Sequence, residues 1–204
     1  QRQMCIRDRP LQILAGPGSG KTRVLTSRVA HLVRDSAAPI APERCVVVTF
    51  TNRAANEMRA RLETMIGADR TRRLVLGTFH AVCVRFLRRW GTRLGLDPRF
   101  TIADTDDARR LLRDVDRDAP VDATLAAISR AKAHGWTPDE LRASAQHAPG
   151  SPAHTEHLAL CRTYAAYQQQ LRTSHALDFD DLLLLGVRLF REHPELTTHI
   201  DHVP

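Results

Sequence analysis

Ala15-Gly16-Pro17-Gly18-Ser19-Gly20-Lys21-Thr22 stands between the apolar run Leu11-Gln12-Ile13-Leu14 and a stretch of helical periodicity. That order of strand, glycine-rich loop and helix decides how the chain is read. The run before the loop is short and apolar enough for a strand buried in a parallel sheet. Glycines at 16, 18 and 20 allow positive φ and let backbone N–H groups converge on phosphate oxygens, while the following helix N-terminus adds partial positive charge. Lys21 is placed to reach β- and γ-phosphates, and the Thr22 hydroxyl to ligate Mg²⁺. The strict pattern has Gly where this chain has Ala15, but the Gly-Lys-Thr end supplies the amides, the ammonium and the metal ligand. Val24, Leu25, Val29, Leu32 and Val33 are expected on one buried face of the helix, with Ala37-Ala38-Pro39 ending it. These residues imply a nucleoside triphosphate ligand.

Two further strand and helix units follow. Cys45-Val46-Val47-Val48-Thr49-Phe50 reads as a buried strand, Thr51-Asn52 as turn and cap, and residues 53–66 as a helix with Ala55, Met58, Leu62 and Ile66 inward. Leu74-Val75-Leu76-Gly77-Thr78 repeats the plan, followed by Phe79-His80 and a helix burying Val82, Cys83, Phe86, Leu87 and Trp90. Three such units in succession predict an α/β fold with a parallel sheet.

Beyond Gly91 the pattern turns helical, with only Phe100-Thr101-Ile102 strand-like. One predicted helix, capped near Asp104 or Thr105, buries Ala108, Leu111, Leu112 and Val115. Another carries Leu125, Ile128 and Ala131 inward. Thr137-Pro138-Asp139-Glu140 is a capping box with proline at the first helical position. After the loop at residues 148–152 a long helix faces Leu158, Cys161, Ala165 and Leu171 inward, and a last one covers residues 178–192. Asp178, Asp180 and Asp181 could suit metal or acid–base work, but acids in a first helical turn are favoured by the helix dipole, and they are read as structural.

The chain has 204 residues, 43% hydrophobic, with a net charge of +7. It is long enough for one large domain or two small ones. Its apolar runs are far shorter than a bilayer span, and no secretory signal is evident. Cys5, Cys45, Cys83 and Cys161 show no CxxC pairing, which points to reduced thiols and to neither zinc nor disulfides. All basic residues but Lys21 and Lys132 are arginine. The positive balance suits a polyanionic partner, and equally the codon bias of a GC-rich genome. Met4-Cys5-Ile6-Arg7-Asp8-Arg9 resembles a translated sequencing adapter, so residues 1–9 are expected to be non-native; without their three arginines and one aspartate the charge falls by two, to +5.

A phosphate loop leaves kinases, GTPases, transporters and motors open. Residues 15–25, then Thr49-Phe50-Thr51-Asn52-Arg53-Ala54-Ala55-Asn56-Glu57-Met58, then Gly77-Thr78-Phe79-His80-Ala81 resemble, in order and spacing, successive motifs of the UvrD/Rep/PcrA-type superfamily 1 DNA helicases. Phe100-Thr101-Ile102-Ala103-Asp104, residues 127–133 and Leu177-Asp178-Phe179-Asp180-Asp181-Leu182-Leu183 are similar to that family's inserted helical subdomain and its return to the motor core. The resemblance implies a P-loop NTPase (RecA-like) parallel sheet, incomplete here, with an inserted all-helical subdomain. It divides the chain into a motor core at 10–91, an insertion at 92–177 and a return at 178–204.

It further implies ATP and Mg²⁺ as cofactors, held by Ala15, Gly16, Pro17, Gly18, Ser19, Gly20, Lys21, Thr22 and Arg23, with Lys21 and Thr22 in the catalytic role. Single-stranded DNA and single/double-strand junctions are the implied partners, contacted by Thr49, Phe50, Asn52, Thr78, Phe79 and His80. The local sequence alone favours Phe50 as the end of a core strand and Asn52 as a helix cap, and His80 could be a buried hydrogen-bonded histidine. The resemblance turns all three toward nucleic acid, with Phe50 as a base-stacking platform. The implied activity is ATP-driven 3′-to-5′ translocation in a bacterial cytoplasm, near the nucleoid.

Hydrolysis in such a motor needs an acidic pair on a later strand, a γ-phosphate-sensing glutamine and an arginine from a second motor domain. The acidic pair is expected just beyond Val203, so the 204 residues alone are expected to hydrolyse ATP poorly. Three alternatives are the helicase part of a helicase–nuclease repair protein, a nucleotide- or DNA-binding module without turnover, and a small-molecule kinase. Nothing at residues 49–57 or 77–81 suggests a kinase's acceptor site or lid.

Overall fold

The computed structural model describes Leu14, Gly16 and residues 18–35, 39–145 and 148–200. The expected strand at residues 11–13, Ala15, Pro17, residues 1–9 and the helix stop at Ala37 and Ala38 lie outside them. Among the described residues the protein is α/β, mostly helical, with two small parallel sheets. It packs as two compact units, one made of Gln1–Val82 with His193–Pro204, the other of Cys83–Glu192.

In the first unit, helix α1 (Lys21–Ala30) runs into a π-helical turn, His31–Asp35. Strand β1 (Val46–Thr49) is followed by α2 (Asn52–Ile66), the short α3 (Ala68–Arg73) and β2 (Val75–Thr78), and β2 leads into α4 (Phe79–Trp90). β1 and β2 pair in parallel with Val46 opposite Val75 and Thr49 opposite Thr78. Val47 and Leu76 share one core with Val29, Ala30 and Val33 of the first helical stretch and Ala55, Met58, Leu62 and Ile66 of α2. The inward face of α2 is as the periodicity predicts. That of α1 is so only in part: Val29, Leu32 and Val33 are buried as predicted, but Val24 and Leu25 are exposed, and Thr26 and Ala30 join the buried face. The buried Thr26 is tolerated because its hydroxyl donates back to the carbonyls of Thr22 and Arg23, both at 2.9 Å. The segment from His193 joins this unit through the buried Leu196 and a bond from Arg44 to the Thr198 carbonyl at 3.0 Å.

The second unit comprises most of α4, β3 (Thr101–Ile102), α5 (Thr105–Val115), α6 (Val121–Ala133), α7 (Pro138–Ala143), α8 (Pro152–Thr173), β4 (Ala176–Leu177) and α9 (Phe179–Glu192). Its helices start where local chemistry says they should. Asp104 and Asp107 form a capping box on α5, Thr137 and Glu140 another on α7, and Ser151 caps α8. Leu112, Ile128, Leu141, Cys161, Tyr164, Tyr167 and Leu171 fill the core. On α8 the inward positions are Cys161, Tyr164, Tyr167 and Leu171, whereas Ala165 is exposed, because the buried arc is centred on the two tyrosines, about 100° or more round the helix from Ala165. β4 was not anticipated; two residues are too few for a period-2 signal, and its existence depends on pairing with β3.

An ion cluster lies inside this unit. The Lys132 ammonium, with its side chain 0% exposed, sits 2.6 Å from Asp178 and 2.8 Å from Asp181. The Tyr167 hydroxyl donates to Asp178 at 3.0 Å and the Gln168 amide to Asp181 at 2.9 Å. Asp178 also accepts from the Asp181 N–H at 2.8 Å, fixing the first turn of α9. These carboxylates are structural, as the helix-dipole reading expected, with the added role of neutralising a buried lysine.

Candidate functional site

The glycine-rich loop is open to solvent from Gly18 to Lys21. Gly18 and Gly20 have φ of 73° and 84°, the left-handed region that glycine occupies without strain. The Ser19 hydroxyl donates to the Gly16 carbonyl at 2.6 Å, and the Lys21 ammonium reaches back to the same carbonyl at 2.7 Å. Lys21 therefore folds over the loop rather than away from it. Helix α1 begins at Lys21 with Gly20 as its N-cap, no side-chain cap and no acid in its first turn. By contrast, α2, α5, α7 and α8 each receive a side-chain oxygen from their own N-cap residue. The N-cap residue of α1 thus supplies no side-chain oxygen to its first turn, where the helix dipole favours an anion. Loop amides, an ammonium at the mouth and a hydroxyl at Thr22 form a donor set that fits the phosphates and metal of a nucleotide. Ala15 and Pro17 lie outside the described residues; Thr22 is half-buried and Arg23 exposed.

A second feature of this unit is built by strand register. Because Thr49 stands opposite Thr78, the residues that follow leave adjacent strand ends side by side. Phe50 is 91% exposed and Phe79 48% exposed. Their ring centroids are 5.7 Å apart, tilted by 59°. Two large aromatic rings held together at the surface are uncommon unless they receive something, since burying either would be favourable. The polar residues beside them divide into two kinds. Thr49 is buried and its hydroxyl donates to the Thr51 carbonyl at 3.0 Å, tightening the turn. Thr78 accepts from the Ala81 N–H at 3.3 Å at the start of α4. Asn52 is exposed at the first position of α2, and the cap is Thr51, which accepts from the Ala54 N–H at 3.1 Å. The reading of Asn52 as cap therefore shifts one residue, and its amide is not tied up in that role. His80 is half-buried.

Gly77 also belongs to this corner, because a Cβ there would sit 3.1 Å from the Ala81 Cβ. The strand-to-helix turn needs a small residue at both places, a requirement that pairwise contact across the turn sets. The glycine before Thr78 was its only sign in the sequence.

Residues 1–202 match the UvrD/REP helicase N-terminal domain. The chain belongs to this family. Among curated relatives, it is 42% identical over 194 residues to the ATP-dependent DNA helicase PcrA of Leuconostoc citreum, covering 92% of this chain and 25% of that protein. To PcrA of Staphylococcus epidermidis it is 38% identical over 193 residues, with 91% and 25% covered, and to PcrA of Staphylococcus aureus 38% over 194 residues, with 92% and 25% covered. The chain thus spans about a quarter of the length of these relatives. Among the described residues of this UvrD/REP-type domain, no helix is long and apolar enough to cross a membrane.

Proposed function

We propose that this chain is the nucleotide-binding and single-strand-binding N-terminal part of an ATP-dependent 3′-to-5′ DNA helicase. The observation that carries the reading is the exposed Phe50–Phe79 pair at register-matched strand ends, in the same packing unit as a phosphate loop whose helix takes no side-chain cap and no acid in its first turn. Gly16, Gly18, Ser19 and Gly20 offer backbone donors to the phosphates, with Ala15 and Pro17 completing the loop and Arg23 flanking it. Lys21 swings from the Gly16 carbonyl to the β/γ-phosphates, exchanging one oxygen acceptor for a charged one. Thr22 supplies a hydroxyl ligand. Mg²⁺ bound there would neutralise charge between the β- and γ-phosphates.

Phe50 and Phe79 offer ring faces to unpaired bases, while Asn52, Thr78 and His80 contribute polar contacts to the strand, and Thr49 holds the turn that aims Phe50. Residues 10–91 act as the motor core, 92–177 as a helical insertion and 178–204 as the return to the core, in a P-loop NTPase fold.

Two substitutions read in parallel test this. Lys21→Ala should weaken binding of a fluorescent triphosphate by about 10- to 100-fold, the worth of a charged hydrogen bond, and leave oligo-dT binding intact. Phe50→Ala should weaken oligo-dT binding by about 5- to 100-fold, the worth of one stacked base, and leave the triphosphate alone. A Phe50→Ala chain that binds oligo-dT like the parent would refute the single-strand assignment.

A further inference from the structure

The second unit holds a cavity that neither the phosphate loop nor the Phe50–Phe79 pair uses. Strands β3 and β4 run in parallel, and each leads directly into a helix, α5 and α9. A cavity of about 240 Å³ opens at the carboxyl ends of these strands, with α6 as its other wall. In open α/β sheets that end of the strands is where ligands settle. Drug-sized ligands occupy about 300–1,000 Å³, so this hollow is too small for a nucleotide and large enough for one side chain. Its wall is apolar, formed by Ala103, Ala108, Leu125 and Ile128.

The mouth is acidic. Helix N-termini ordinarily attract anions, but here both are filled from within. Asp104 accepts from the Asp106 and Asp107 N–H groups, each at 2.9 Å, and Asp178 from the Asp181 N–H at 2.8 Å. Asp178 is matched by Lys132. Asp104 and Asp180 line the same cavity, and neither stands in an ion pair among the described residues. The N–H bonds, that of Asp107 first, hold the Asp104 carboxyl below its ordinary value, so it is ionised; Arg110, which also acts on it, is itself paired with Asp107. The half-buried Ser129 hydroxyl faces the hollow too, with no hydrogen bond among the described residues. On a chain of net charge +7 this is a local surplus of negative charge around an apolar hollow.

We infer that this cavity receives an arginine side chain presented by a partner polypeptide. The methylene stem of arginine suits the apolar wall, and its planar, weakly hydrated head leaves water more cheaply than an ammonium does. Its donors point several ways, so one guanidinium can serve a carboxylate and a hydroxyl together. An anionic ligand would meet the charges of Asp104 and Asp180, and an apolar side chain would leave the Ser129 hydroxyl and the carboxylates without partners. The inference is independent of the proposed nucleotide and single-strand contacts, with which it shares no residue.

The test titrates the full ¹⁵N-labelled chain with a short capped alanine peptide carrying arginine at its centre, and follows backbone amide shifts by NMR. The amides of Ala103, Ser129 and Asp180 should shift saturably, with a Kd on the order of 1 mM for one anchored side chain. Citrulline in place of the peptide's arginine keeps the shape and removes the charge, and should weaken binding at least ~10-fold, the worth of a charged hydrogen bond. Asp180→Asn should cost a similar factor. Ala126→Phe, at an exposed position on the α6 side of the cavity, should fill the hollow and abolish the saturable shifts. If that variant does not fold, Asp180→Asn and the citrulline peptide still decide the matter. Lys21→Ala and Phe50→Ala should bind the peptide as the parent does, so the outcome here is separate from that of the nucleotide and single-strand assignments. Equal binding of the citrulline peptide, undiminished affinity in Asp180→Asn, tighter binding of inorganic phosphate at the same amides, or no saturable shift with the arginine peptide would each overturn the inference.

Discussion

Replacing Lys132 by Met removes the cation that contacts two carboxylates at a buried site. Lys132 is fully covered, its ammonium is 2.6 Å from Asp178 and 2.8 Å from Asp181, and Asp181 is itself 0% exposed. Breaking a buried ion pair by deleting one member costs about 3–5 kcal/mol, because the survivor is left charged in a poor solvent. Here two survivors face each other, with the Tyr167 hydroxyl, the Gln168 amide and local N–H groups as the donors among the described residues. Against a domain stability of about 5–15 kcal/mol, this is a large share. Burial already pushes the Asp181 carboxyl above its ordinary value, and loss of Lys132 removes the main influence holding it down.

The sign of the pH dependence follows. A carboxyl whose folded value is raised favours folding when protonated, so the deficit of the variant should be largest at neutral pH. It should shrink as pH falls toward the unfolded aspartate value of ~3.9. Both tryptophans, Trp90 and Trp136, belong to this unit, so their fluorescence in urea reports its unfolding. Midpoints of variant and parent, compared at about pH 7.5 and about pH 5, give the deficit at each. A neutral-pH loss below about 1 kcal/mol, or a loss that does not narrow on acidification, would refute the account of Lys132 as counter-ion to the aspartates.

Two further substitutions probe positions where geometry leaves no slack. In Gly186→Ala, the new Cβ would lie 2.8 Å from the Cys83 sulfur, so α4 and α9 must part at a cost of about 1–3 kcal/mol; Cys83→Ala in the same chain should recover most of it. Thermal melts of the two single variants and the double variant would show this, and simple additivity would exclude the contact as the cause. Gly20→Ala meets nothing closer than the Arg23 Cβ at 4.0 Å, yet forces a residue with a side chain to φ of 84°. Triphosphate affinity should therefore drop by about 5- to 30-fold through backbone strain of ~1–2 kcal/mol. Little change is expected in the melting of the helical unit. Equal affinity would mean that the loop does not hold its ligand in this conformation.

What the sequence alone determined was everything that neighbours along the chain can decide. The glycine loop with Lys21 and Thr22, the cap near Asp104, the capping box at Thr137, and the inward faces of α2, α5 and α6 depend on residues within one or two turns of each other, where spacing and chemistry suffice. Tertiary structure decided the rest. Phe50 and Phe79 are separated by 29 residues, and only the parallel register of β1 and β2 brings their rings to 5.7 Å. Lys132 and Asp178 lie 46 residues apart, and only the packing of α6 against the start of α9 makes them a buried pair. The errors have the same origin: Val24, Leu25 and Ala165 are apolar and correctly spaced for burial, but which arc of a helix is covered depends on what packs against it. Periodicity reports that a face exists, whereas long-range contact selects the face and assembles the site.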